Sequence, residues 1–173
     1  MDMISLMIHV TAAAVLVGPQ VLMFYAVVPS TWLIDGERLK RDILGVVARR
    51  FGLLSMVSIV VLLATGLNQF YTVTPQHIQD DIMGYRYGQI FTTKMTLFTV
   101  LLALVFTHMF VFSKRIRVLS DAVLAGNTDA AGALHTARMK SLLFSLLILL
   151  TSLGVMWLGV TLGHHEYSYV SVG

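Results

Sequence analysis

The chain has 173 residues, of which 57% are hydrophobic and 12% charged, with a formal net charge of +3. A soluble domain carries about 25% charged residues, so these figures, with a mean hydropathy of +0.80, argue against a soluble globular protein and for one integral membrane domain, 1–173. The absence of cysteine excludes disulfides, thiolate metal sites and thiol redox chemistry.

Four apolar runs are long enough to cross a bilayer core, which takes about 20 helical residues. They fall at 4–28, 51–71, 87–112 and 141–163. Each is continuous rather than alternating, and backbone groups in lipid must be satisfied within the chain. The prediction is therefore an all-α, four-helix up-down bundle in a lipid bilayer. The segments 29–50 and 113–140 are its expected connections on one side.

The first run, "MISLMIHVTAAAVLVGPQ", is preceded by Asp2 where a signal peptide would carry basic residues, so a retained helix is expected. Helical spacing puts His9, Ala12, Ala13, Leu16 and Gln20 on one stripe, narrow enough to face a helix bundle or a flat cofactor. Pro19 removes a backbone bond and presses on the Val15 carbonyl, which predicts a bend. An imidazole inside a span is costly. His9 is either bonded to a neighbouring helix or is a metal or haem ligand.

The next segment, "PSTWLIDGERLKRDILGVVARR", carries Arg38, Lys40, Arg41, Arg49 and Arg50. Its apolar residues recur at helical spacing and could run straight into the second span. Near the far end of that span lie Thr65, Gly66, Asn68 and Gln69, where small residues permit close helix packing. A compact loop follows, holding His77, Asp80 and Asp81.

Span three has Lys94 near its start and His108 near its end, about 21 Å apart at 1.5 Å per residue and on similar faces. Lys94 is expected to snorkel to the headgroups or to serve a cofactor. His108 reads as a helix-bonding imidazole or a metal ligand. Lys114, Arg115 and Arg117 follow, then a Gly126-Asn127 turn signal, a short helix, Arg138 and Lys140. Span four ends "WLGVTLGHHEYSYV". On a continued helix His164 and His165 would point about 100° apart, so that one faces the bundle. With His77, Asp80, Asp81, Glu166 and Asp2 they share one side of the membrane, at no recognised metal spacing.

Ten of the twelve basic residues lie in the two connections on one side. The positive-inside rule puts that side in the cytoplasm and both termini outside it. The same distribution argues against nucleic acid, since no interleaved aromatic platform accompanies the charge. Trp32, Trp157, Tyr85, Tyr87, Tyr167 and Tyr169 read as interfacial aromatics. The ten methionines are scattered and read as packing. His135 lies in a connection and is expected to be solvated.

Three stretches carry a resemblance. "IHVTAAAVLVGPQVLMFYAVVP" resembles the first helix of the copper-resistance D (CopD) membrane domain, with its His followed by small residues and a glycine. "RRFGLLSMVSIVVLLATGL" is similar to the second helix of that domain, and "YGQIFTTKMTLFTVLLALVF" to the third. The wider group includes the HemJ-type protoporphyrinogen oxidases, which share the four-helix layout, bind haem b, and use a first-helix His and a third-helix Lys. By position the resemblance implies roles for His9 and Lys94. Span one here lacks the arginine and tryptophan that HemJ proteins carry.

Three functions are open at this point. The first is a b-type haem protein of the bacterial inner membrane. His9 would be one axial ligand, with Lys94, His164 or His165 the other, and Gln20 on the cofactor face. It would carry out electron transfer or porphyrin or metal redox chemistry with a redox partner. The second is a copper-handling permease in which His9, His164 and His165 capture the ion and Met23 and His108 continue inward. The third is a non-catalytic accessory subunit of a larger respiratory or photosynthetic membrane complex, its polar residues joining helices.

Overall fold

The computed structural model describes residues 3–172; Asp2 lies outside them. Four long helices make up the fold: α1 (Met3–Leu33), α2 (Glu37–Val73), α3 (Arg86–Leu124) and α4 (Ala130–Gly163), each long and apolar enough to cross a membrane. Two short helices, Gln76–Asp80 and His165–Ser168, lie at one end. Among the described residues, extended pairing is confined to one antiparallel bridge, Tyr85 with Ser171.

Hydropathy located the apolar part of each helix, not its ends. The 37 residues of α2 span about 55 Å at 1.5 Å per residue, against a hydrocarbon core of about 30 Å. Most of 29–50 and 113–140 is helix, and the helix from Glu37 runs straight into the second span, as its apolar spacing foresaw. The breaks shrink to Ile34–Gly36 and the turn Ala125–Asp129, where Gly126 takes φ 92°, a conformation glycine enters without the Cβ penalty. Residues such as Arg, Lys, Leu and Ala propagate a helix well beyond the apolar run.

At Pro19, where the sequence predicts a bend, α-helical geometry is kept. The α-helix runs through Pro19 to Leu22, and the departure from α geometry falls in the next turn, a π-helical stretch Met23–Val27. A second π-helical stretch, His108–Phe112, interrupts α3 where it passes from the apolar run to its basic extension. π turns of this kind are frequent at functional sites.

α1 lies along α2, α3 lies along α4, and α1 also meets α4, which closes the up-down bundle. Its centre is one apolar cluster with a contribution from every helix: Leu16, Ile59, Phe98 with Leu101, and Ile148. The outward faces are apolar too. Leu53, Val160 and Trp157 are each at least 70% exposed, and a surface of that kind is suited to lipid rather than water.

Each end is tied by different means. At the basic end Glu37 of α2 accepts two bonds from Arg138 of α4, Nη1 to Oε2 at 2.9 Å and Nη2 to Oε1 at 2.7 Å. Ser120 of α3, fully buried, donates to the same carboxylate at 2.7 Å, and Arg41 pairs with Asp121. The two basic segments therefore meet at one end, as the charge pattern required. At the other end Tyr87 and Thr74 share a hydrogen bond of 2.7 Å. Backbone bonds run from Arg86 to Val170 and from Val172 to Gly84, both at 2.9 Å. A Cβ on Gly88 would lie 1.9 Å from the Ile82 carbonyl oxygen, so only glycine fits there.

Candidate functional site

Most polar groups inside the spans are satisfied within the bundle; the buried Ser55 hydroxyl of α2 is one that has no hydrogen-bond partner. Most hydroxyls, among them Thr96, Thr99, Thr107 and Thr151, donate to the carbonyl four residues earlier on their own helix, the usual solution for Ser and Thr in a span. Cross-helix bonds then fasten α1. Asn68 donates to Ser5 at 3.0 Å, and Ser152 of α4 donates to the Gln20 amide oxygen at 3.2 Å. The stripe read from the sequence does face inward: Ala12 and Leu16 are buried, with His9 and Gln20 half-buried on the same side.

His9 Nδ1 lies 2.8 Å from Thr65 Oγ1. The Thr65 hydroxyl spends its single hydrogen on its own helix, toward Val61 O at 2.6 Å and Leu62 O at 3.4 Å. Its oxygen must therefore accept from Nδ1–H. That fixes the neutral tautomer and leaves the lone pair on Nε2, which has no hydrogen-bond partner among the described residues. The ring edge lies over Gly66, where a Cβ would stand 3.4 Å from Cε1. A larger residue at 66 would push the imidazole away.

Lys94 packs against α4. Its side chain is half-buried and reaches Gly159 of α4, where a Cβ would stand 3.4 Å from Nζ. Among the described residues the ammonium has neither a hydrogen-bond nor an ion-pair partner. Two glycines thus make room for the two ionisable groups, one on α2 and one on α4.

The remaining predicted residues lie elsewhere. His108 Nε2 sits between Ser141 Oγ at 3.0 Å and Ser145 Oγ at 3.1 Å, with its ring stacked on Phe112 and Phe144. His164 and His165 are exposed. The long helix stops at Gly163 and His164 leaves helical geometry, with ψ 85°, so the 100° relation of a continuous helix does not apply. His165 stacks on Tyr169 at 4.7 Å. Burial, and after it the neighbouring Tyr87, raises the Tyr169 phenol above its ordinary range. His77 packs edge-on against Tyr85, Asp80 accepts from Gln76, and Asp81 accepts from the Gly84 amide. His135 is exposed, as expected.

Among the described residues no three His, Asp or Glu side chains come together as a metal site. The two best-defined surface recesses lie at the basic end and touch neither His9 nor Lys94. Sequence reading missed the role of Thr65 and the place of Gly159. A Thr-Gly pair and a glycine in apolar helices carry a packing signal only, and which histidine or lysine they face depends on helix rotation. No family model, curated protein or solved structure matches the chain.

Proposed function

We propose that this protein is a multi-pass protein of the bacterial inner membrane that binds a b-type haem between its helices, with His9 as axial ligand. The observation that carries the reading is the His9 imidazole, held by Thr65 through Nδ1 with the Nε2 lone pair unengaged. Haem ligation by histidine uses a neutral imidazole whose other nitrogen is fixed by a hydrogen bond.

The residues around it fit that use. Ala12 and Gly66 are small, and Lys94 of α3 lies against Gly159 of α4. As a neutral amine Lys94 would offer a second lone pair to hold the group. As an ammonium it would pair with a carboxylate of the cofactor. A bound haem would supply one-electron chemistry; the chain would orient it and exclude water from it. The CopD and HemJ resemblance points the same way, since it too joins a first-helix His to a third-helix Lys. We place the basic end in the cytoplasm on the positive-inside rule, which puts the His9 site toward the outer leaflet.

A second reading, an accessory subunit of a membrane complex, is favoured by one observation. Gln20, Asn68 and His108 all make cross-helix bonds, as helix-joining residues do. The copper-permease reading has less behind it, because its histidines have separate surroundings and form no common ligand set.

A visible absorption spectrum of the detergent-purified protein tests the proposal. A Soret band that shifts on reduction is expected. Bound copper by elemental analysis with no Soret band would favour the permease, and neither would favour the accessory subunit. A reporter enzyme active only in the cytoplasm, fused at the C-terminus, is expected to be silent; activity there would reverse the orientation.

A further inference from the structure

A recess of about 290 Å³ lies at the basic end of the bundle, between the extension of α3 and the start of α4. It is floored by Phe112, Gly132, Ala133 and Ala137, with Arg115 and Lys140 also lining it. A shallow face of α3 adjoins it, formed by Phe110, Val111, Val118 and Leu119, with Lys114 and the same Arg115. Arg115 is thus common to both.

Some cations of the basic end are paired and others are not. Arg41 and Arg138 are paired with Asp121 and Glu37. Arg115, Lys140 and Lys114 have no acidic partner among the described residues, and all three are exposed. They stand just where α3 leaves its apolar run. Phe110, Val111 and Val118, from 57% to 63% exposed, continue the wall of the groove onto the lipid-facing surface. Basic recesses between helices at this level suit anionic headgroups.

We propose that this groove binds one anionic phospholipid. Arg115 and Lys140 take the phosphate, Lys114 adds to the field, and an acyl chain lies along Phe110, Val111 and Val118. The apolar wall decides for a lipid over free phosphate, which would gain nothing from it. The inference is independent of the haem reading and rests on the helices crossing a membrane.

The test is a titration of the purified full chain, in a neutral detergent, with dioleoyl-phosphatidylglycerol and separately with dioleoyl-phosphatidylcholine, read by native mass spectrometry. Saturable one-to-one binding of phosphatidylglycerol in preference to phosphatidylcholine is expected. Arg115→Gln with Lys140→Gln should weaken it about 30-fold, at about fivefold per charge. Arg49→Gln with Arg50→Gln, the same charge change outside the groove, should leave it at the wild-type level. Gly132→Leu keeps every charge and fills the recess. No atom lies within 4 Å of a Cβ there and helix propensity rises, so the variant should fold and lose the lipid. Equal loss in the Arg49 and Arg50 control, equal binding of phosphatidylcholine, displacement by millimolar inorganic phosphate, or full binding by Gly132→Leu would each overturn the proposal.

Discussion

Two histidines sit inside this bundle, and their surroundings differ in a way the residue type does not reveal. His108 uses Nε2, the nitrogen far from the backbone, to meet two serines of α4, and two phenylalanines stack on its ring. What it leaves over is Nδ1, the nitrogen nearer its own main chain. His9 does the reverse. It spends Nδ1 on Thr65 and keeps Nε2, the nitrogen with reach. The two imidazoles differ in which nitrogen is occupied, and on the proposed reading that difference is what would let His9 take a ligand.

Breaking the comparison outright takes His9→Gln against His108→Gln. Glutamine can still bond across helices, so both variants should insert. The first should lose its Soret band entirely, and the second should keep it; a full band in His9→Gln would make His9 a helix-joining residue. His135→Gln, on the exposed surface, is the control and should change nothing.

Thr65→Val sharpens the same contrast. It removes the acceptor that fixes the His9 tautomer while keeping the shape of the side chain. Loss of such a partner typically costs 10–100-fold in affinity at a metal-bound histidine, so haem should wash out at correspondingly lower detergent dilution. An unchanged haem content would mean that the ring is oriented by packing on Gly66.

Ser141→Ala with Ser145→Ala addresses the other histidine. It strips His108 of its cross-helix partners. Interhelical bonds of this kind contribute about 0.6 kcal/mol each on average in a membrane, so thermal unfolding in detergent should come slightly earlier with the visible spectrum unmoved. Pro19→Ala should have the least effect on folding, since the helix already runs through that position. Any loss of haem would show that the π-helical stretch after it sets the tilt of His9.

Much of this was legible beforehand because hydrophobic periodicity and charge are local. The four spans, the meeting of the basic segments and the inward stripe of His9, Ala12, Leu16 and Gln20 follow from spacing along one helix. Lys94 was not legible. Whether it rises to the headgroups or turns toward Gly159 depends on how α3 is rotated against α4, which no single helix encodes. His164 and His165 were read as a helical continuation, and the stop at Gly163 removed the premise. The Glu37–Arg138 tie joins residues 101 positions apart, beyond any local rule.

The closure at the end opposite the basic one has a consequence for the order of assembly. Arg86 and Gly84, at the entry to α3, bond to Val170 and Val172, residues that follow α4 in the chain. Neither these bonds nor the pairing of Tyr85 with Ser171 can form before α4 has been made, so this end of the bundle is fastened only after all four long helices exist.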